Sequence, residues 1–149
     1  MTFEEQFTGN WSLISMSTQD SDGNIVYPFG KNPTGIITYT KNGRVSVHIM
    51  GNSRPIFTSQ DQHSGSDTEI RKAFEGYVAY SGTYTISKDD RTVYHHVETC
   101  LFPNWVGMTQ KRSFHLSGNR LTLKTTSIRF RGKSRISTLV WERMPSSSH

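Results

Sequence analysis

The stretch Thr109-Gln110-Lys111-Arg112-Ser113-Phe114-His115-Leu116, Ser117-Gly118-Asn119, Arg120-Leu121-Thr122-Leu123-Lys124-Thr125-Thr126 decides the fold. Two runs rich in β-forming residues flank three small turn-forming residues, the pattern of an antiparallel hairpin. Working outward, six further runs read the same way: Asn10–Ser17, Gly35–Thr40, Arg44–Met50, Tyr77–Ser87, Thr92–Leu101 and Ser134–Glu142. A weak one lies at Ile25-Val26-Tyr27 before Pro28. Their connections are short and polar, among them Lys41-Asn42-Gly43 and Lys88-Asp89-Asp90. Consecutive strands joined this way predict an antiparallel meander. About eight strands of this length close into an up-and-down barrel or fold as a sandwich.

One segment breaks the pattern. Ser66-Asp67-Thr68-Glu69 has the form of a capping box, and Ile70, Ala73, Phe74 and Tyr77 follow at i, i+3, i+4 and i+7. This predicts a short amphipathic helix. It sits in a long connection, residues 51–76, and is expected over the open end of the barrel with Phe74 and Phe57 at the entrance. The alternative is a plug that only caps the core. The opening Thr2-Phe3-Glu4-Glu5 predicts a capped turn leading into Phe7.

The chain has 149 residues with 8 Phe, 6 Tyr and 3 Trp, too aromatic for a disordered chain. One cysteine, Cys100, cannot form an internal disulfide or a thiolate zinc site. The opening MTFEEQF is acidic and no apolar run reaches the length of a membrane span, so a soluble, cytoplasmic protein without a membrane partner is expected. The domain is expected over residues 1–144, with a polar, disordered tail at 145–149. Charge is uneven: residues 111–149 hold 9 Lys and Arg against 1 acidic residue. Arg129, Arg131, Lys133 and Arg135 are spaced by two, which on a strand puts them on a solvated face opposite Ile128, Phe130 and, after a turn at Gly132, Ile136. Phe130 would then point away from Arg129 and Arg131, an arrangement that disfavours nucleic acid as a partner.

Further stretches carry a resemblance. They are Gly9-Asn10-Trp11, Tyr27-Pro28-x-Gly30-x-x-Pro33-x-Gly35, Tyr77-x-Ala79-Tyr80-x-Gly82-x-Tyr84, and His95-x-Val97-Glu98-x-x-Leu101-Phe102-Pro103-Asn104-Trp105-Val106-Gly107, closed by Leu139-Val140-Trp141-Glu142-Arg143. Together they resemble the lipocalin-like domain family of small bacterial and fungal proteins over residues 9–143. Cys100 stands where the family pattern has serine. The resemblance implies a β-barrel with an internal cavity, and a Trp11–Arg143 stack closing one end. Some relatives act in natural-product pathways, where small barrels without cofactors promote isomerisation, cyclisation or dehydration.

Inside a barrel of eight strands only the inward side chains matter for a ligand. His95 and His96 are adjacent and must face opposite ways. Val97 shares parity with His95, so His95 is expected in the cavity, catalytic or simply a satisfied structural histidine. Glu98 is its uncertain partner. Arg112 shares parity with Gln110 and Phe114 rather than with Lys111. A buried arginine needs pairing, with Glu98, a tyrosine or an anionic ligand as candidates. Tyr39, Tyr80, Ser46, His48, Met50, Phe74, Trp105, Gln110 and Phe114 are expected to line the pocket, or equally to fill the core.

The sequence shows no phosphate-binding loop, no nucleophile elbow and no metal-protease motif, and no cofactor or metal is expected. The leading expectation is an isomerase or cyclase acting on a small hydrophobic or aromatic substrate. His95 would be its acid or base, Glu98 or Tyr80 would share the proton, and Arg112 would stabilise a developing oxyanion. The alternative is a carrier of a small apolar ligand with no turnover. Whether the barrel forms a homodimer stays open.

Overall fold

A computed structural model describes residues 2–145. Its elements are β1 (Gly9–Asp20), β2 (Ile25–Val26), β3 (Thr34–Tyr39), β4 (Arg44–Met50), α1 (Asp67–Glu75), β5 (Tyr77–Ser87), β6 (Thr92–Cys100), β7 (Thr109–Ser117), β8 (Arg120–Thr125), β9 (Ile128–Phe130) and β10 (Lys133–Arg143). Each of the eight long strands pairs antiparallel with the next, and β10 returns to pair with β1, from Trp11 opposite Arg143 to Asp20 opposite Arg135. The result is a closed up-and-down barrel of eight strands with one short helix. The strands β2 and β9 are short flaps on β1 and β10.

Alternation puts the apolar residues inside. In β4, Val45, Val47 and Ile49 are buried, and in β8 so are Leu121 and Leu123. One end of the barrel is filled with aromatic rings. The turn at Glu4–Gln6, steadied by reciprocal hydrogen bonds between Thr2 and Glu5, delivers Phe7 into it. Phe7 meets Tyr39 and Phe114 edge-on, with ring centroids 5.5 and 4.9 Å apart. The Arg143 guanidinium lies 4.3 Å over the Trp11 ring and donates to the carbonyls of Thr8 and Gln6. That end is shut.

At the other end the structure corrects the reading of the basic cluster. Arg131 and Gly132, both at positive φ (52° and 82°), make a tight turn that folds residues 128–135 into a hairpin. The four basic residues therefore do not share one strand face. Arg135 pairs with Ile128 and faces inward, Ile136 faces solvent, and the Arg131 guanidinium lies 5.3 Å from the Phe130 ring centre. The two-residue turn pairs Phe130 with Lys133, an even with an odd position, so the count by two changes face across it. The tail expected to be disordered lies, from residue 146 on, outside the described residues.

Helix α1 begins with the capping box read from Ser66 and Glu69. None of its residues is buried, and Phe74 remains 44 % exposed. It rests beside β5 at the open end, where Phe74 forms part of the rim. Phe57 instead packs against Gly65, away from the entrance.

Candidate functional site

The site is assembled by three strands. In β6, His95 points inward and is 1 % exposed, while His96 turns outward between Thr85 and Thr109. In β5, Tyr80 faces it, and its hydroxyl lies 2.7 Å from His95 Nδ1. In β3, Tyr39 lies on the far side, its hydroxyl 2.7 Å from His95 Nε2. Both imidazole nitrogens are thus engaged.

Counting protons gives this chain of groups a direction. Burial, with Arg112 and His96 adding to it, pushes the His95 pKa down from 6.5 to about 3, so the ring is neutral with one N–H and one lone pair. Tyr39 is buried with His95 as its hydroxyl partner, so the tautomer that satisfies this network is assigned with the Tyr39 proton donated to Nε2. The ring proton then sits on Nδ1 and is donated to Tyr80. The Tyr80 hydroxyl, accepting from His95, keeps its own proton for the cavity that it lines. Burial raises the Tyr80 pKa, and the Arg112 guanidinium beside it partly opposes that rise. Burial also holds the Tyr39 hydroxyl well above the ordinary phenol value. Tyr80 is a hydrogen-bond donor, not a base.

Arg112 enters from β7, 6 % exposed. Its Nη1 donates to the Lys111 carbonyl at 3.1 Å and weakly to Gln110 Oε1 at 3.5 Å. Among the described residues it has no carboxylate partner.

These groups border a chamber of about 90 Å³ whose wall is otherwise mostly apolar, with Ile37, Val47, Ile49, Leu139 and Trp141 among its residues. A vestibule of about 300 Å³ adjoins it, lined by Phe29, Phe74, Tyr77 and Phe102 and sharing Val78, Trp105, Arg129 and Phe130 with the chamber. Trp105 is carried there by the turn Pro103–Trp105 and meets Tyr80 edge-on at 6.1 Å. The chamber alone takes a group of about one aromatic ring, and with the vestibule it approaches the size of ordinary ligand pockets.

Of the residues expected at the site, His95, Tyr80, Arg112 and Trp105 line the chamber and Phe74 the vestibule. Tyr39 and Gln110 are buried behind that surface. Others fall elsewhere. Glu98 is outside the barrel in a 2.6 Å ion pair with Arg44, both side chains about half exposed. A β-bulge places Val97 opposite Gly82 and Thr99 opposite Ser81, leaving Glu98 unpaired on the outer face. Ser46, His48 and Met50 also face outward, because Val45, Val47 and Ile49 take the inner positions of β4. His48 there bonds Tyr77 through Nδ1 at 2.9 Å. Phe114 is buried in the closed end against Phe7 and does not reach the chamber.

Among the wall residues that escaped the sequence reading are Trp141, Arg135 and Arg129. Parity along β10 (135, 137, 139, 141) carries the signal for the first two, once the change of face across the Gly132 turn is counted. Among the described residues no three His, Cys, Asp or Glu side chains gather as a metal site would need. No helix there is long and apolar enough to cross a membrane.

A shut floor, an apolar chamber and a few convergent polar groups define a ligand-barrel architecture of the lipocalin type. Residues 8–144 match the lipocalin-like domain family, and the chain belongs to it. A similar protein is the 4′-hydroxy-3′-methoxypropiophenone carrier protein ppsC of Aspergillus oryzae, 34 % identical over 108 residues, which span 68 % of this chain and 97 % of the relative. A lipocalin-like protein from Bacteroides uniformis covers 93 % of this chain and 99 % of its own, with 12 % identity and a TM-score of 0.49.

Proposed function

We propose that this protein is a carrier that holds a small aromatic molecule with at least one oxygen acceptor in its barrel. The observation that carries this reading is the Tyr39–His95–Tyr80 relay ending in a donated proton beside Arg112, set in an apolar chamber open to an aromatic vestibule. Such donors orient a carbonyl or phenol oxygen while the wall takes the ring. The similarity to a carrier of an aromatic ketone supports the same ligand class.

The isomerase or cyclase reading keeps Tyr80 and Arg112 as groups that polarise an oxygen, but its base has weakened. His95 is neutral with both nitrogens occupied, and Glu98 is on the outer surface. Binding therefore ranks first, as a small-molecule step in secondary metabolism.

The test is a titration with 4′-hydroxy-3′-methoxypropiophenone followed by tryptophan fluorescence, since Trp105 and Trp141 are in the wall. Saturable binding is expected, with the compound recovered unchanged and affinity reduced about tenfold or more in Arg112→Met, as loss of a charge-assisted hydrogen bond implies. Recovery of a rearranged product only when protein is present would instead make the barrel an enzyme. Replacement of Phe74 by alanine is expected to cost less than about 1 kcal/mol of stability, because the ring is 44 % exposed. It should nonetheless weaken ligand binding from the vestibule side. A loss of about 3–5 kcal/mol with unchanged binding would make the residue part of the core instead.

A further inference from the structure

The chamber's charged groups are all cations, and several of its polar groups are donors. Arg112 holds a buried guanidinium with no carboxylate partner among the described residues, and Tyr80 offers its hydroxyl proton. Trp141, 1 % exposed and in the wall, has a buried Nε1–H without a partner, and so has Nη1 of Arg135. Arg129 completes the border with the vestibule. None of the described residues lining the chamber is an aspartate or glutamate. In the vestibule Glu75 is the acid present, and it lies 3.9 Å from Arg71 on the exposed helix.

A wall with guanidinium groups at its floor and mouth and no carboxylate has a positive potential. That potential acts strongly in an apolar enclosure. An unpaired buried charge is unfavourable to the empty barrel, so it favours whatever ligand neutralises it. A neutral apolar molecule would leave Arg112 as unpaired as before.

We propose that the chamber takes its ligand as an organic monoanion: an aromatic body bearing one negatively charged oxygen group, seated against Arg112 and Tyr80 with the ring among Ile37, Val47, Ile49 and Leu139. This rests on the carrier reading and narrows it to the charge state of the cargo. Arg129 and Arg135 at the mouth draw the anion inward, and Arg112 holds it.

The experiment uses two fluorescent probes with the same aromatic body, 1-anilinonaphthalene-8-sulfonate and uncharged N-phenyl-1-naphthylamine. The sulfonate is expected to bind about tenfold tighter or better, since a charge-assisted contact is gained without a change of ring. Arg112→Met should remove that preference while leaving the neutral probe's affinity unchanged, and Arg112→Lys should restore part of it. The charge-retaining variant guards against a mere loss of folding. Displacement of the sulfonate by benzoate or by ionised 4-nitrophenol then tells a carboxylate cargo from a phenolate one. Equal or tighter binding of the neutral probe overturns the monoanion and leaves the carrier intact. Failure of both probes, and of benzoate and 4-nitrophenol followed by tryptophan fluorescence, removes the carrier reading and this inference with it.

Discussion

Gly82→Ala is expected to yield no cooperatively folded protein. A Cβ built at this position would lie 1.8 Å from the backbone oxygen of His96 and 3.1 Å from the nitrogen of Glu98. The contact is with main chain, so no side-chain rotation relieves it. It arises because the bulge at Val97 and Glu98 bends β6 against β5 at Gly82. Strand and neighbour would have to separate there, tearing the ladder that holds Tyr80 opposite Cys100 and Tyr84 opposite His95. The cost exceeds the roughly 4–5 kcal/mol that already marks an exceptional substitution. Urea unfolding followed by near-ultraviolet circular dichroism checks it. A sigmoidal transition at the wild-type midpoint would mean that the two strands are not in this register.

The second large effect is loss of stability in mild acid. The His95 pKa is pushed down from 6.5 to about 3 in the folded barrel, so within that window the unfolded chain takes a proton that the folded one refuses. The unfolded state then binds more protons, and stability rises with pH. The contribution is fully present above about pH 6.5 and is lost as pH falls towards 3. The slope is at most about 1.4 kcal/mol per pH unit. Across the window that amounts to several kcal/mol, a large part of the stability of an ordinary domain. Asp20 and Glu69, whose pKa values are lowered by hydrogen bonding, add loss of the same sign at lower pH. The comparison that isolates His95 is therefore wild type against His95→Gln, both titrated with urea across this range. The variant is expected to be flatter between pH 6.5 and 4, and parallel curves would show that the imidazole does not carry the effect.

The barrel was legible from the sequence because its turns are chemically marked and its strands alternate. Ser117-Gly118-Asn119 and Asn42-Gly43 sit where the chain reverses, and Trp11 and Arg143 meet as the resemblance implied. The inward set was partly legible. His95 was assigned from Val97 and Arg112 from Phe114, because an apolar neighbour at period two betrays the buried face. On β4 the same rule favoured Val45, Val47 and Ile49, yet Ser46, His48 and Met50 were expected inside for their chemistry. Hydrophobic burial decided the strand's orientation. Glu98 shares parity with His96, not with His95, so the same alternation already put it on the outer face, and it was expected inside for its chemistry alone. Nor could the direction of the Tyr39–His95–Tyr80 relay be read, because it depends on three residues far apart in sequence meeting at hydrogen-bond distance.

The seam between β1 and β10 bears on how the molecule is made. Gly9–Asp20 leaves the ribosome before every other strand of the barrel, yet its longest partner, Lys133–Arg143, follows only after all the strands between them. The first strand can hydrogen-bond to β3 over Gly9–Ser12, but the edge it turns to β10 waits until all the intervening strands have been made. Closing so long a loop makes the final step slow relative to local hairpins, in the millisecond-to-second regime of non-local β topologies. Until then the nascent sheet is open along one side, with Trp11 and Leu13 uncovered and an unpaired strand edge available to another chain. The open sheet is therefore most exposed to misassembly just before β10 arrives.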